Sequence, residues 1–166
     1  MFFASDNAGP AHPSIMDALL RANAGYQPSY GADALTTSVR DAVRETFEAP
    51  QAEVLLVATG TAANALSLAA LARPWQTIYC ARVAHIEEDE CGATEFFSGA
   101  KLTLLPESEG KIAPADLLSA NETNNARGVH GVQPGPVSLT QATEVGTLYS
   151  PDEIGAIAEL ASAHGL

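Results

Sequence analysis

Thr59-Gly60-Thr61 closes an apolar run at 54–57 and opens a second apolar stretch at 61–71. A strand that turns sharply into a helix leaves the first helical N–H groups unpaired, and together with the helix dipole they favour an anion such as phosphate. Gly60 would let the backbone approach that anion, and Thr61 would add a hydroxyl beside the first free amides. The same residues also suit a plain strand-to-helix turn in which Thr61 merely caps. A second group is His85 with the acidic run Glu87, Glu88, Asp89 and Glu90. Imidazole, with an ordinary pKa of about 6.5, suits proton transfer near neutrality, and histidine with carboxylates can hold a divalent cation. Consecutive helical residues point in different directions, so at most two of these acids, such as Glu87 and Glu90, could share an ion with His85. Acids in a first helical turn are also ordinary solvated partners of the dipole.

The other candidates have plainer readings. His130 lies in a glycine-rich loop, His12 stands beside Pro13, and His164 falls in a final helical turn where a cation complements the dipole. Cys80 reads as strand core and Cys91 as a small hydrophobe. Only two lysines occur, Lys101 at the head of a strand and Lys111 in a turn, both usual places for a solvated amine.

Alternating helices and strands must position these groups. Ile15, Leu19 and Ala22 predict an amphipathic helix over 14–23, and Leu35, Val39, Val43 and Phe47 predict another, separated from it by a Pro- and Gly-bearing loop that carries Tyr30. Residues 54–57 read as a strand buried on both sides, and 61–72 as a helix apolar nearly all round and therefore buried. Further strands are expected at 77–80, 102–105 and 137–141, with helices near 89–97 and 114–120 and an exposed connection at 121–135. Ser150-Pro151-Asp152-Glu153 combines an N-cap hydroxyl, a proline at the first helical position and a glutamate placed for a capping box, which predicts a helix over 151–163 ended by Gly165. The pattern is α/β. Because such a helix ordinarily hands the chain back to the sheet, Leu166 as the last residue predicts a truncated fold, or one completed by a second chain.

At 166 residues and 46% hydrophobic, the chain has the length of one globular domain. Eight basic against twenty acidic residues give a net charge of −12, which argues against nucleic acid and anionic membranes as partners. No apolar run reaches the roughly 18 residues of a membrane span, and the first residues lack the pattern of a secretory signal, so a cytoplasmic location is expected.

Five segments, SDNAGPAHP, SYGADALT, TGTAANALSLAALARPW, AHIEEDECGATEFFSGAKL and SLTQATEVGTLYSPDEI, resemble in order and spacing the N-terminal half of the pyridoxal-phosphate-dependent threonine aldolases, within the beta-eliminating lyase superfamily. The resemblance covers essentially the whole chain and is closest to the branch of phenylserine and L-allo-threonine aldolases. It implies a fold-type-I, aspartate-aminotransferase-like large domain, incomplete here, with 1–166 forming its N-terminal part. It also implies retro-aldol cleavage of threonine, allo-threonine or phenylserine-type β-hydroxy-α-amino acids to glycine and an aldehyde, in a homodimer or homotetramer.

Carried over residue by residue, the resemblance places Gly60 and Thr61 at the cofactor phosphate and His85 stacked on the pyridine ring. His130 becomes a second catalytic histidine near the substrate hydroxyl, Ser5 and Tyr30 become substrate contacts, and Glu90 a carboxylate close to His85. The family's cofactor-binding lysine follows a DGAR-like segment that this sequence does not contain, and neither Lys101 nor Lys111 occupies its place. The chain alone is therefore expected to be inactive unless a complementary C-terminal chain supplies the amine. The alternatives are a non-catalytic remnant acting as an interaction subunit, and a metal-dependent enzyme using His85 with Glu87 and Glu90.

Overall fold

The computed structural model describes residues 8–166, and the chain divides into two compact units, 1–56 and 57–166. The described helices of the first unit are α1 (Pro13–Ala22) and α2 (Ala34–Thr46). Proline takes the first position of α1, where no N–H is needed, and the ring of His12 accepts the Ser14 N–H at 3.3 Å. Asp33 caps α2, accepting the Thr36 N–H at 2.8 Å and the Thr36 hydroxyl at 2.7 Å. These bonds hold the Asp33 carboxyl below the usual carboxylate range. Neither helix buries a residue, so the predicted apolar stripe of Ile15, Leu19, Leu35 and Val39 stays exposed.

The second unit is built on two parallel strands, β1 (Thr77–Ala81) and β2 (Lys101–Leu105), paired in register from Thr77↔Lys101 to Ala81↔Leu105. Parallel strands need a crossover, and this one holds two short helices, α4 (His85–Glu88) and α5 (Ala93–Ser98), where one helix was expected. Gly92, with φ of 71°, separates them. Before β1 comes α3 (Gly60–Leu71), which packs on α5. After β2 come α6 (Pro114–Ala126), a 3-10 turn at Gly128–His130, and α7 (Pro151–His164). Thr77, Ile78, Tyr79 and Cys80 are completely buried and form the centre of the core, joined by Leu105, Leu117, Tyr149 and Ile157.

Four further expectations are corrected by this architecture. Residues 54–57 form no strand: Leu55 and Leu56 are exposed and no described residue pairs with the segment. Apolar character alone does not make a strand, because its backbone groups need a partner. The α3 helix buries only Ala65 and Leu68, leaving Leu66 and Leu71 exposed, since only part of its apolar circumference meets the rest of its unit.

The strand expected at 137–141 is reduced to isolated bridges beside β1. Thr77 and Tyr79 donate N–H to the carbonyls of Gln133 and Pro136, each at 2.9 Å, and Tyr79 O accepts from Ser138 at 2.8 Å. Pro134 and Pro136 carry no N–H with which to extend the ladder. Gly135 is needed there because a Cβ would collide with the Thr77 carbonyl.

Finally, α6 continues six residues past Ala120 into the segment read as an exposed connection. Its polar residues are recruited by the core: the Tyr79 hydroxyl donates to Asn121 Oδ1 and accepts from Asn124 Nδ2, both at 3.2 Å. The capping box of α7 forms as predicted, with Glu153 N–H donating to Ser150 Oγ at 3.2 Å and Ser150 N–H to Glu153 Oε2 at 2.7 Å.

Candidate active site

The amino end of α3 is set by Thr59, not Thr61. Thr59 Oγ1 accepts the Ala62 N–H at 3.1 Å and its carbonyl accepts the Ala63 N–H at 3.1 Å. Thr61 thus lies within the helix, its hydroxyl not used as the cap. The N–H groups of Gly60 and Thr61 donate to no described residue, and a Cβ on Gly60 would meet nothing within 4 Å. Two free amides and open space above a glycine at the start of a 12-residue helix fit a phosphate group.

One turn further along α3, Asn64 Nδ2 donates to Glu90 Oε1 at 2.8 Å. That carboxylate is fully buried, its Oε2 has no partner among the described residues, and its Oε1 lies 4.0 Å from His85 Nε2. Asn64 and Glu90 therefore connect the amino end of α3 to the imidazole that begins α4. The buried Glu90 was read from sequence as a carboxylate beside His85, and the geometry puts it there. Asn64 was missed, although a lone amide in the run TAANALSLAAL is itself a signal: a polar side chain in an apolar helix needs a partner.

On its other edge, His85 Nδ1 lies 3.5 Å from Glu144 Oε1 and 3.7 Å from Asp89 Oδ2. The three groups His85, Asp89 and Glu144 are close enough together to share a cation. Glu87 and Glu90, the acids weighed from sequence for that purpose, are not in this set. Glu144 was not foreseen, because it reaches His85 from the loop before α7.

His130 ends the exposed 3-10 turn, and no hydrogen bond or ion pair among the described residues joins its ring to the His85 group. Tyr30 is fully exposed in the loop of the first unit, with φ of 61°. Ser5 lies outside the described residues. Lys111 Nζ is engaged by Glu153 Oε1 at 2.7 Å and the Leu148 carbonyl at 3.4 Å, while Lys101 is exposed at the head of β2. The Cys80 thiol is pushed up to about 12, first by burial and then by the charges of Glu87 and Glu95, which leaves it a packing residue and not a nucleophile.

Residues 3–166 match the beta-eliminating lyase family. The low specificity L-threonine aldolase of Pseudomonas aeruginosa is 43% identical over 165 residues, covering 99% of this chain and 47% of that protein. A protein of the same description from a Pseudomonas species is 40% identical over the same share. Among solved structures, a Leishmania major threonine aldolase superposes with a TM-score of 0.87 at 34% identity, over 93% of this chain and 44% of that one. The chain thus spans about half the length of the relatives it matches, and the α/β architecture is that of part of a fold-type-I pyridoxal-phosphate enzyme. A shared fold, a family match over residues 3–166 and 43% identity to a relative aligned along nearly the whole chain lead to one assignment: the chain belongs to the beta-eliminating lyase family.

Proposed function

We propose that this chain carries the phosphate- and ring-binding part of a carbon–carbon lyase that uses pyridoxal phosphate to split β-hydroxy-α-amino acids into glycine and an aldehyde. The supporting observation is the connection of two free amides at the start of α3 to His85 through Asn64 and Glu90. The N–H groups of Gly60 and Thr61, with the Thr61 hydroxyl, would bind the phosphate, and His85 would lie against the ring. When bound, the cofactor supplies an electron sink for the pair left on Cα as the Cα–Cβ bond breaks.

The remaining work falls to side chains. His85 Nε2 would take the proton of the substrate β-hydroxyl, and the carboxylate of Glu90 would favour the charged ring that results. His130 would order water near that hydroxyl, and Ser5 and Tyr30 would contact the substrate. Lys111 is held by Glu153 and Lys101 stands in solvent, so in this reading the cofactor-binding amine comes from residues other than these two. Threonine, allo-threonine and phenylserine are the substrates to compare, and a homodimer or homotetramer is the proposed assembly.

The test is aldehyde release from these amino acids by the holoenzyme containing this sequence. Cofactor-dependent cleavage is expected, falling by about 10²–10⁴-fold in His85→Ala. The 166-residue chain alone should release no aldehyde; cleavage by it would show that Lys101 or Lys111 serves after all. An enzyme indifferent to both pyridoxal phosphate and His85 would refute the reading.

A further inference from the structure

We infer that Glu144 is a positioning residue for His85: it holds the Nδ1 proton of the imidazole and leaves Nε2 as the nitrogen that exchanges protons. This rests on the function proposed above. Three carboxylates surround the ring, but they are not equivalent. Glu90 faces Nε2 from full burial, but at 4.0 Å, beyond hydrogen-bond reach, and with the facing oxygen already accepting from Asn64, so it does not hold a proton on Nε2 of the neutral ring. Asp89 and Glu144 both face Nδ1, and Asp89 reaches it from four residues along the same segment, with its side chain mostly in solvent.

Glu144 is placed by a loop fastened at several points. Thr143 N–H donates to the Thr147 carbonyl at 2.9 Å, and Thr147 N–H donates back to Thr143 Oγ1 at 3.2 Å. Thr147 Oγ1 donates to the Glu109 carbonyl at 2.6 Å, tying the loop to the turn after β2. Tyr149 N–H donates to Gln141 Oε1 at 2.7 Å, and the Tyr149 hydroxyl accepts the Ile112 N–H at 2.8 Å. Gly110 completes the fit, since a Cβ there would come within 2.8 Å of the Thr143 side chain.

A loop so constrained next to buried Thr143 presents Glu144 to the imidazole in a defined direction, with one third of its side chain exposed. The 3.5 Å separation is an ion-pair distance, short of an ideal hydrogen bond by a small side-chain adjustment. Polar contacts of this kind commonly tighten when a substrate is bound. A carboxylate at Nδ1 fixes the ring's rotation and its tautomer, because it can accept a proton there and cannot donate one. Nε2 then carries the lone pair of the neutral ring, and Glu90 stands beside it to stabilise the proton once taken.

The experiment is 15N NMR of the holoenzyme containing histidine labelled in the ring, with the His85 signals assigned by their loss in His85→Asn. The neutral ring should carry its proton on Nδ1. Glu144→Leu removes the acceptor at Nδ1, so the proton should move to Nε2, which the Glu90 carboxylate faces, and kcat should fall about tenfold or more with KM little changed. Asp89→Asn should leave the tautomer as it is. A proton on Nε2 in the unaltered protein, an unchanged tautomer in Glu144→Leu, or a switch produced by Asp89→Asn instead would each overturn the assignment. Should the tautomer move as expected in a protein that cleaves no amino acid, the pairing of Glu144 with His85 stands and the proposed activity falls.

Discussion

Asn64 matters through the one buried carboxylate to which it donates. Its amide is the side-chain partner of the buried Glu90 carboxylate, whose second oxygen already has none among the described residues. Removing it leaves a polar group stranded away from water, which costs about 1–3 kcal/mol. Asn64→Ala should therefore lower the urea midpoint of the second unit, while the double variant with Glu90→Gln should lose less than the sum of the single changes. Additive losses would mean that the two side chains do not act as a pair. The resemblance points to His85 and Glu90 as candidates, whereas Asn64 and Glu144 are not legible in the sequence. Each matters through a contact that chain spacing does not encode: Asn64 meets a residue 26 positions away, and Glu144 arrives from a different loop.

Among the elements, α7 was the one whose start was legible in local chemistry: Ser150, Pro151 and Glu153 specify it, whereas the caps of α2 and α3 fall on Asp33, read only as a loop residue, and on Thr59 in place of Thr61. Elements that depend on distant partners were misread: 54–57 lacks a pairing edge, and α6 extends because Tyr79 binds its asparagines. The α7 cap also has a pH signature. Lys111, ahead of the Ser150 N–H, holds the Glu153 carboxyl down at about 2 against an ordinary 4.5. A depressed carboxyl stabilises the fold above its unfolded pKa, and that contribution disappears as pH falls from 4.5 through about 2. The melting temperature should exceed that of Glu153→Gln at pH 7, and the difference should shrink across this interval. Because Glu153 is exposed, salt should reduce the difference at pH 7 as well. A gap unchanged at pH 2 would assign the stabilisation to hydrogen bonding alone.

Over the whole molecule, order should follow burial unit by unit. In residues 57–166, β1 is sealed on every residue through Cys80, and Leu117 of α6 is fully buried. Amides there can exchange with solvent only through large-scale opening of the core. The helices α1 and α2 of the first unit bury no residue and are 10 and 13 residues long, at or below the roughly 12–15 at which an isolated helix becomes marginal in water. Hydrogen exchange on the 166-residue chain should therefore find strong protection in β1, β2 and the middle of α6, and little in α1 or α2 beyond what their caps provide. The exposed Leu19, Leu20, Phe96 and Phe97 add a concentration dependence, because apolar surface of this kind drives association. If α1 and α2 become protected as the chain is concentrated, another copy is covering them. Strong protection of both helices at high dilution would instead mean that they are stabilised by something other than burial in their own unit.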